Sequence, residues 1–146
     1  MKVEHGTLVM VADGTKLLLL RNEGDEKYPV LQTVLHERQD NPATHEQGAD
    51  APGRSFASTG AARSSYQETD WHQQAEDAFA RHAAALLEKA AADHPGAGVV
   101  VIAAPRTLGA MRGHYGQVTS TRLLAEIDKD LADHPTDDVI AALAAH

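Results

Sequence analysis

Short apolar runs separated by polar turns fill the first part of the chain, and this pattern predicts a β-meander. Residues 7–12 and 16–21 have the composition of two strands, and Asp13-Gly14 between them is a strong hairpin signal. Residues 29–38 predict a third strand, whose charged end suits an exposed sheet edge. The chain is therefore expected to begin with three antiparallel strands.

An uninterrupted apolar run, Val-Val-Val-Ile-Ala-Ala at residues 99–104, organises the second half of the chain. Because polar and apolar positions do not alternate there, the run predicts a strand that is buried on both faces. Such a strand needs at least one parallel neighbour and helices on both sides of the sheet. Pro105 closes the run, and Thr107 is expected to be the N-cap of the next helix. We expect this run to be the central strand.

Helical periodicity begins behind residues 70–73, which have the form of a capping box. The apolar positions at this spacing are Trp71, Ala75, Ala78, Phe79, Ala83, Leu86, Leu87 and Ala90. They predict a long helix from Asp70 to about residue 92, ended by His-Pro-Gly at 94–96. A short helix over 108–115, a strand from about Leu123, and a last helix over 137–145 capped by Thr136 follow. Residues 122–128 are also compatible with an extension of a helix.

These elements fit one domain of 146 residues with the order βββαβαβα. Right-handed crossovers place the later strands parallel to the first. The predicted fold is therefore a single-domain α/β fold with a mixed five-stranded sheet and helices on both faces, and its topology matches the ribonuclease-H-like class.

A long polar stretch over residues 39–69 interrupts this order, because it contains no Val, Leu, Ile or Met. It predicts a loop of about 30 residues, a length that is normally functional or disordered. Its first half carries acids without Lys or Arg, whereas residues 53–67 carry Arg54 and Arg63 without any acid. Contact with a phosphate or carboxylate group and a flexible solvated insertion are equally compatible with this composition.

Net charge limits the classes of partner. The formal charge is −8 with a pI near 5.5, which argues against a general polyanion binder. Residues 126–138 hold six acids against one Lys. The absence of Cys excludes disulfides, thiolate zinc sites and cysteine nucleophiles. Neither a signal peptide nor a membrane span is visible in the sequence, so we expect a cytoplasmic protein.

The residues do not support metal or nucleophilic chemistry. A two-metal nuclease needs carboxylates that converge at strand ends, but the strand at 99–104 exits into Arg106, a cation. The nine histidines show no metal-binding helical pair, and neither a nucleophile elbow nor a phosphate-loop fingerprint is present. We therefore expect neither a metal nor a cofactor.

Two further residues are candidates for binding an anion. His72 lies in the first turn of the predicted long helix, beside the polar stretch, although a half-exposed residue at a helix start is the simpler interpretation. Arg106 follows a buried strand, the position at which open α/β sheets bind ligands. Its alternative role is an ion pair with the acidic residues of 126–138.

Motifs along almost the whole chain resemble one known family. They occupy residues 5–9, 12–14, 20–25, 40–42, 47–50, 52–54, 69–72, 79, 104–109 and 128–131. Asp-Trp-His at 70–72 and Pro-Arg-Thr-Leu-Gly at 105–109 are the more specific ones. Together they resemble the bacterial host attachment protein family, named as required for attachment to host cells. That family is similar to bacterial relatives of the archaeo-eukaryotic peptide-chain release factors.

The resemblance implies a role at the ribosome or on tRNA. The central domain of release factors carries a Gly-Gly-Gln loop before a long helix, but here Gly60-Ala61-Ala62 has no following Gln. Peptidyl-tRNA hydrolysis is implied by the resemblance and opposed by the missing motif, so catalysis stays open. A role in adhesion, which the family name implies, fits poorly with the lack of an export signal.

We therefore expect a cytoplasmic, non-metal RNA- or ribosome-associated factor that contacts RNA phosphate through Arg54, Arg63, His72 and Arg106. The alternative is a protein-binding or surface-associated attachment module without catalytic activity, whose partner meets the acidic residues of 126–138. The sequence does not indicate an oligomeric state.

Overall fold

A computed structural model describes residues 1–39 and 71–146 in full and residues 57–70 by their backbone alone. The described residues form five strands and four helices. In chain order these are β1 (Leu8–Ala12), β2 (Lys16–Asn22), β3 (Leu31–Arg38), α1 (Ala57–Asp93), β4 (Val99–Ala103), α2 (Pro105–Arg112), α3 (Gln117–Arg122), β5 (Leu123–Asp128) and α4 (Thr136–Ala145).

The strands form one open mixed sheet in the order β3-β2-β1-β4-β5. β1 pairs antiparallel with β2, which pairs antiparallel with β3, while β4 pairs parallel with β1 on one side and with β5 on the other. The predicted α/β fold class is thus confirmed. β4 is buried on both faces, as predicted, but β1 is the central strand, because the two antiparallel strands extend the sheet on its other side.

The predicted hairpin turn after β1 is also present. The Asp13 amide donates to the Lys16 carbonyl oxygen at 2.9 Å. One Asp13 carboxylate oxygen accepts hydrogen bonds from the amides of Thr15 and Lys16 at 2.8 and 2.7 Å. Asp at this position therefore replaces a backbone acceptor and fixes the turn.

A hydrophobic core lies on each face of the sheet. α1 and α2 cover one face, where Phe79, Leu87, Leu108 and Met111 pack against β1, β2 and β4. α4 covers the other face through Val139, Ala142 and Leu143. In the part of α1 whose side chains are described, five alanines are buried, namely Ala80, Ala83, Ala84, Ala90 and Ala91. Small side chains thus allow a close approach of α1 in a chain that has few aromatic residues.

The start of α1 differs from the prediction. The helix begins at Ala57, so Asp70 lies inside it and the predicted capping box at 70–73 does not start a helix. Residues 57–69 of the predicted loop are helical, and residues 40–56 lie outside the described residues. The lack of large apolar residues suggested a loop. However, Ala, Arg, Gln and Glu favour helix, and the backbone N–H and C=O groups inside a helix are hydrogen-bonded to one another without apolar packing.

Two other helix starts also differ by a few residues. α2 begins at Pro105, a favoured residue for the first helical position, so Thr107 is a buried residue of the first turn and not the N-cap. α4 begins at Thr136 itself, with Pro135 at the N-cap and no side-chain cap. The two acids predicted for its first turn, Asp137 and Asp138, are in place.

The short helix α3 was not predicted, because its start is capped from a distant part of the chain. The Glu88 carboxylate accepts hydrogen bonds from the amides of Val118 and Thr119 at 3.2 and 2.9 Å and from the Thr119 hydroxyl at 2.9 Å. At the other end of α3, Arg122 donates to the Ala91 carbonyl oxygen of α1 at 2.6 Å. Each helix thus satisfies unpaired backbone groups of the other.

Candidate functional site

The carboxyl ends of β1, β4 and β5 lie at one edge of the sheet, here called the carboxyl edge, where open α/β sheets bind ligands. The Lys129 amide, just after β5, donates to the Ala103 carbonyl oxygen at the end of β4 at 3.1 Å. α1 passes over the same edge, since Glu76 packs on Gly14. A Cβ atom on that glycine would lie 2.5 Å from a Glu76 carboxylate oxygen. The carboxyl edge is therefore formed by three strand ends and the middle of α1.

Arg106 occupies this edge as the second residue of α2. Its side chain is 52% exposed, and its Nη2 lies 3.6 Å from Oδ1 of Asp77 on α1, whose side chain is 49% exposed. The alternative expected from the sequence, an ion pair with the acids of residues 126–138, is therefore not the one observed. The position of Arg106 at the exit of a buried strand is as predicted.

The first turn of α2 adds to the positive potential at Arg106. Pro105 stands at the start of the helix, and no side chain caps it by a hydrogen bond. A helix start carries amides without intrahelical acceptors and a partial positive charge. Arg106 and the start of α2 therefore favour an anion at the same place.

His72 also lies on α1, but its side chain and that of Asp77, the partner of Arg106, are on different sides of the helix. His72 is half-buried and its ring contacts that of Trp71 edge to face, with centroids 5.3 Å apart and an interplanar angle of 78°. Five residues separate His72 from Asp77, which corresponds to a rise of about 7.5 Å and a rotation of about 140° around the helix. The two side chains thus leave α1 on different sides.

The two loop arginines fall where side chains are not described. Arg54 lies outside the described residues, and Arg63 lies in the part of α1 described by its backbone. Nine residues of helix separate Arg63 from His72, a distance of about 13.5 Å along the axis. Within the described residues, Arg106 contacts another element of the fold at Asp77.

Several acids of residues 126–138 are engaged inside the chain. Glu126 accepts hydrogen bonds from Nε of Arg112 at 3.0 Å and from the Tyr115 hydroxyl at 2.7 Å. Burial, and then the hydrogen bond to Glu126, raise the pKa of Tyr115 above its usual value, so this hydroxyl remains a donor. Asp133 pairs with Lys16 at 3.2 Å. Part of the acidic surface is therefore structural.

Two acids near the carboxyl edge are also engaged inside the chain. Asp13 holds the hairpin turn and Asp77 faces Arg106. Across residues 1–39 and 71–146, no three His, Asp or Glu side chains are grouped so that they could hold a metal ion. In these ranges and the backbone-only part of α1, no helix combines the length and hydropathy needed to cross a bilayer.

The sequence analysis did not identify Asp77 as the partner of Arg106. The two residues lie 29 positions apart in different helices. Their contact depends on how α2 packs on α1, which no local pattern encodes. The Glu88 cap of α3 was missed for the same reason.

Comparison with known proteins identifies the family. Residues 6–143 match the family model of bacterial archaeo-eukaryotic release factor family 12. No curated protein matches the chain. The expected relationship to release factors is confirmed by this match, which carries no host attachment name. With almost its full length matched, the chain belongs to bacterial archaeo-eukaryotic release factor family 12.

Proposed function

We propose that this protein is a cytoplasmic RNA-binding factor that associates with the ribosome or tRNA and contacts RNA phosphate through Arg54, Arg63, His72 and Arg106. Membership of a release-factor family supports the link to translation. The proposal is a binding function without a metal or cofactor. It includes no hydrolytic step, because the chain lacks the Gly-Gly-Gln motif.

The observation that carries the proposal is the setting of Arg106. Its guanidinium is half-exposed at the carboxyl edge, beside a helix start without a side-chain cap. Guanidinium groups bind phosphate oxygens in a bidentate manner, and helix starts supply further amide donors. A phosphate at this place would therefore meet two kinds of donor.

The charge of the protein limits how many phosphates it contacts. A chain with a formal charge of −8 is repelled by RNA except where cations are concentrated. We therefore expect weak binding, with a slope of log K against log salt that corresponds to roughly one or two phosphates. A broad RNA-binding surface would give a steeper slope.

Co-sedimentation with ribosomes at low salt tests the proposal. The variant Arg54→Glu/Arg63→Glu is expected to stay in the supernatant, while wild-type protein pellets with ribosomes. Because charge reversal alone lowers affinity for RNA, the matched control is Lys27→Glu/Lys89→Glu. It makes the same change in net charge at two exposed residues, one between β2 and β3 and one on α1.

Retention of the control on ribosomes and loss of the arginine variant support the proposal. Equal sedimentation of wild type and arginine variant, or no binding by either, overturns it. Either result favours the attachment module, whose partner would meet the acidic residues of 126–138. Circular dichroism of each variant checks that the fold is intact.

A further inference from the structure

The ion pair with Asp77 engages the Arg106 guanidinium, which is the group proposed to bind phosphate. Both side chains are about half-exposed, and the 3.6 Å distance between Nη2 and Oδ1 is longer than that of a good charge-assisted hydrogen bond. Within the described residues, neither side chain has another ion-pair partner. The contact is therefore weak enough for a ligand to displace. The Asp77 carboxylate is nevertheless close enough to compete with that ligand for Arg106.

We propose that Asp77 is a specificity-determining residue that competes with RNA phosphate for Arg106. This proposal rests on the proposed function, which identifies RNA as the ligand. A polyanion that offers charge alone must break the ion pair and then remain near the Asp77 carboxylate, which repels it. An RNA that also engages the start of α2 compensates for the displacement.

The backbone geometry keeps Asp77 in this position. Leu108 and Met111 of α2 share a core with Phe79 and Leu87 of α1, so the two helices are packed together. Glu76, the neighbour of Asp77, lies directly against the hairpin at Gly14. Only rotation of the Asp77 and Arg106 side chains, and no helix movement, is needed to open the site.

Binding of the single-stranded polyanion poly(U) tests the competition. We expect Asp77→Asn to bind poly(U) about twofold to fivefold more tightly than wild type, the range that corresponds to an exposed ion pair. The salt slope is expected to steepen by about 0.7, because Arg106 gains one phosphate contact on a single strand. Asn has nearly the same shape as Asp, so the fold is retained.

Two further variants separate competition from a general charge effect. Asp93→Asn makes the same charge change at an exposed residue of α1, about 24 Å further along the helix, and is expected to bind as wild type does. Asp77→Asn combined with Arg106→Gln is expected to lose the gain, since the released cation is absent. Equal gains for both Asp→Asn variants, no gain for Asp77→Asn, or a gain that survives Arg106→Gln each overturn the proposal.

The two proposals fail in different ways. If Asp77→Asn gains affinity for poly(U) through Arg106 but wild type does not bind ribosomes, the competition is supported and the ribosomal function is overturned. If ribosome binding depends on Arg54 and Arg63 but Asp77→Asn and Asp93→Asn bind poly(U) alike, the function is supported and the competition is overturned.

Discussion

Removal of the Glu88 carboxylate is expected to destabilise the region where α1 meets α3. Thr119 is fully buried, and its amide and hydroxyl both donate to Glu88 at 2.9 Å. In Glu88→Ala these two groups lose their acceptor, and each unsatisfied buried donor costs about 1–3 kcal/mol. Partial access of water reduces the sum, so we expect a loss of about 2–3 kcal/mol in the free energy of unfolding.

Thermal unfolding followed by circular dichroism measures this loss. For a domain of this size, about 2–3 kcal/mol lowers the melting temperature by roughly 5–10 °C. Glu26→Ala is the matched control, because Glu26 is an exposed glutamate in the bend between β2 and β3 and outside α1 and α3. If Glu88→Ala melts at the temperature of wild type, the Glu88 cap does not stabilise the fold.

The pH dependence of the stability of a second variant, Glu88→Gln, tests whether the charge of the carboxylate contributes to the cap. The hydrogen bonds from Thr119, first from its amide, hold the pKa of Glu88 below its usual value in the folded protein. A carboxyl with a lowered folded pKa contributes stability above its unfolded pKa of about 4.3 and loses it as pH falls through the folded pKa. The stability difference between wild type and Glu88→Gln should therefore be largest at neutral pH and shrink below about pH 4. A difference that stays constant down to acid pH would refute this cause.

The remaining predictions concern the buried Asn22 amide, the contact of Gly116 with Glu88, and Trp71, the single tryptophan of the sequence. Asn22→Ala should lower the unfolding free energy in urea by about 2–4 kcal/mol, since its fully buried amide joins Val3 to the backbone of residues 24–30. Gly116→Ala should also destabilise, because a Cβ would lie 2.2 Å from the Glu88 carboxyl carbon, and the double variant with Glu88→Ala should lose less than the sum of both. Trp71, the single tryptophan, is 39% exposed, so poly(U) or ribosomes bound near His72 should reduce its quenching by acrylamide; unchanged quenching on binding would place the ligand elsewhere.

The sheet was predictable because its strands carry their own signals. The Asp13-Gly14 turn, the charged end of β3 and the apolar run of β4 each reflect a local physical requirement, and β5 begins at Leu123, as expected. The helices were harder to place. The start of α1 has no apolar periodicity to mark it, and α3 depends on Glu88, a cap that lies about 30 residues earlier in the chain.

Of the Arg106–Asp77 pair, only Arg106 was predictable from the sequence. Arg106 follows a buried strand, and strand exits gather at one edge in any open parallel sheet. Its partner was hidden, because Asp77 reaches it only after α2 has packed on α1. The predicted cluster of four residues also assumed that the helix begins near His72. With α1 beginning at Ala57, Arg63 and His72 are separated along a helix axis instead of meeting in a loop.

Asp77 and Glu88 lie on one side of α1 but have different roles, an exposed ion pair with Arg106 and a cap of α3. Eleven residues separate them, which places both on nearly the same side of the helix, about 16 Å apart. Glu88 meets backbone amides of α3, which cannot leave without unfolding that helix, whereas Asp77 meets a half-exposed guanidinium that solvent and ligands can reach. We therefore expect the effects of the two carboxylates to separate in paired measurements. Glu88→Gln should lower the melting temperature and leave poly(U) affinity unchanged, while Asp77→Asn should raise poly(U) affinity and leave the melting temperature nearly unchanged, because exposed ion pairs contribute only about 0–1 kcal/mol. If both variants change both quantities, the two carboxylates act as one electrostatic unit and do not have separate roles.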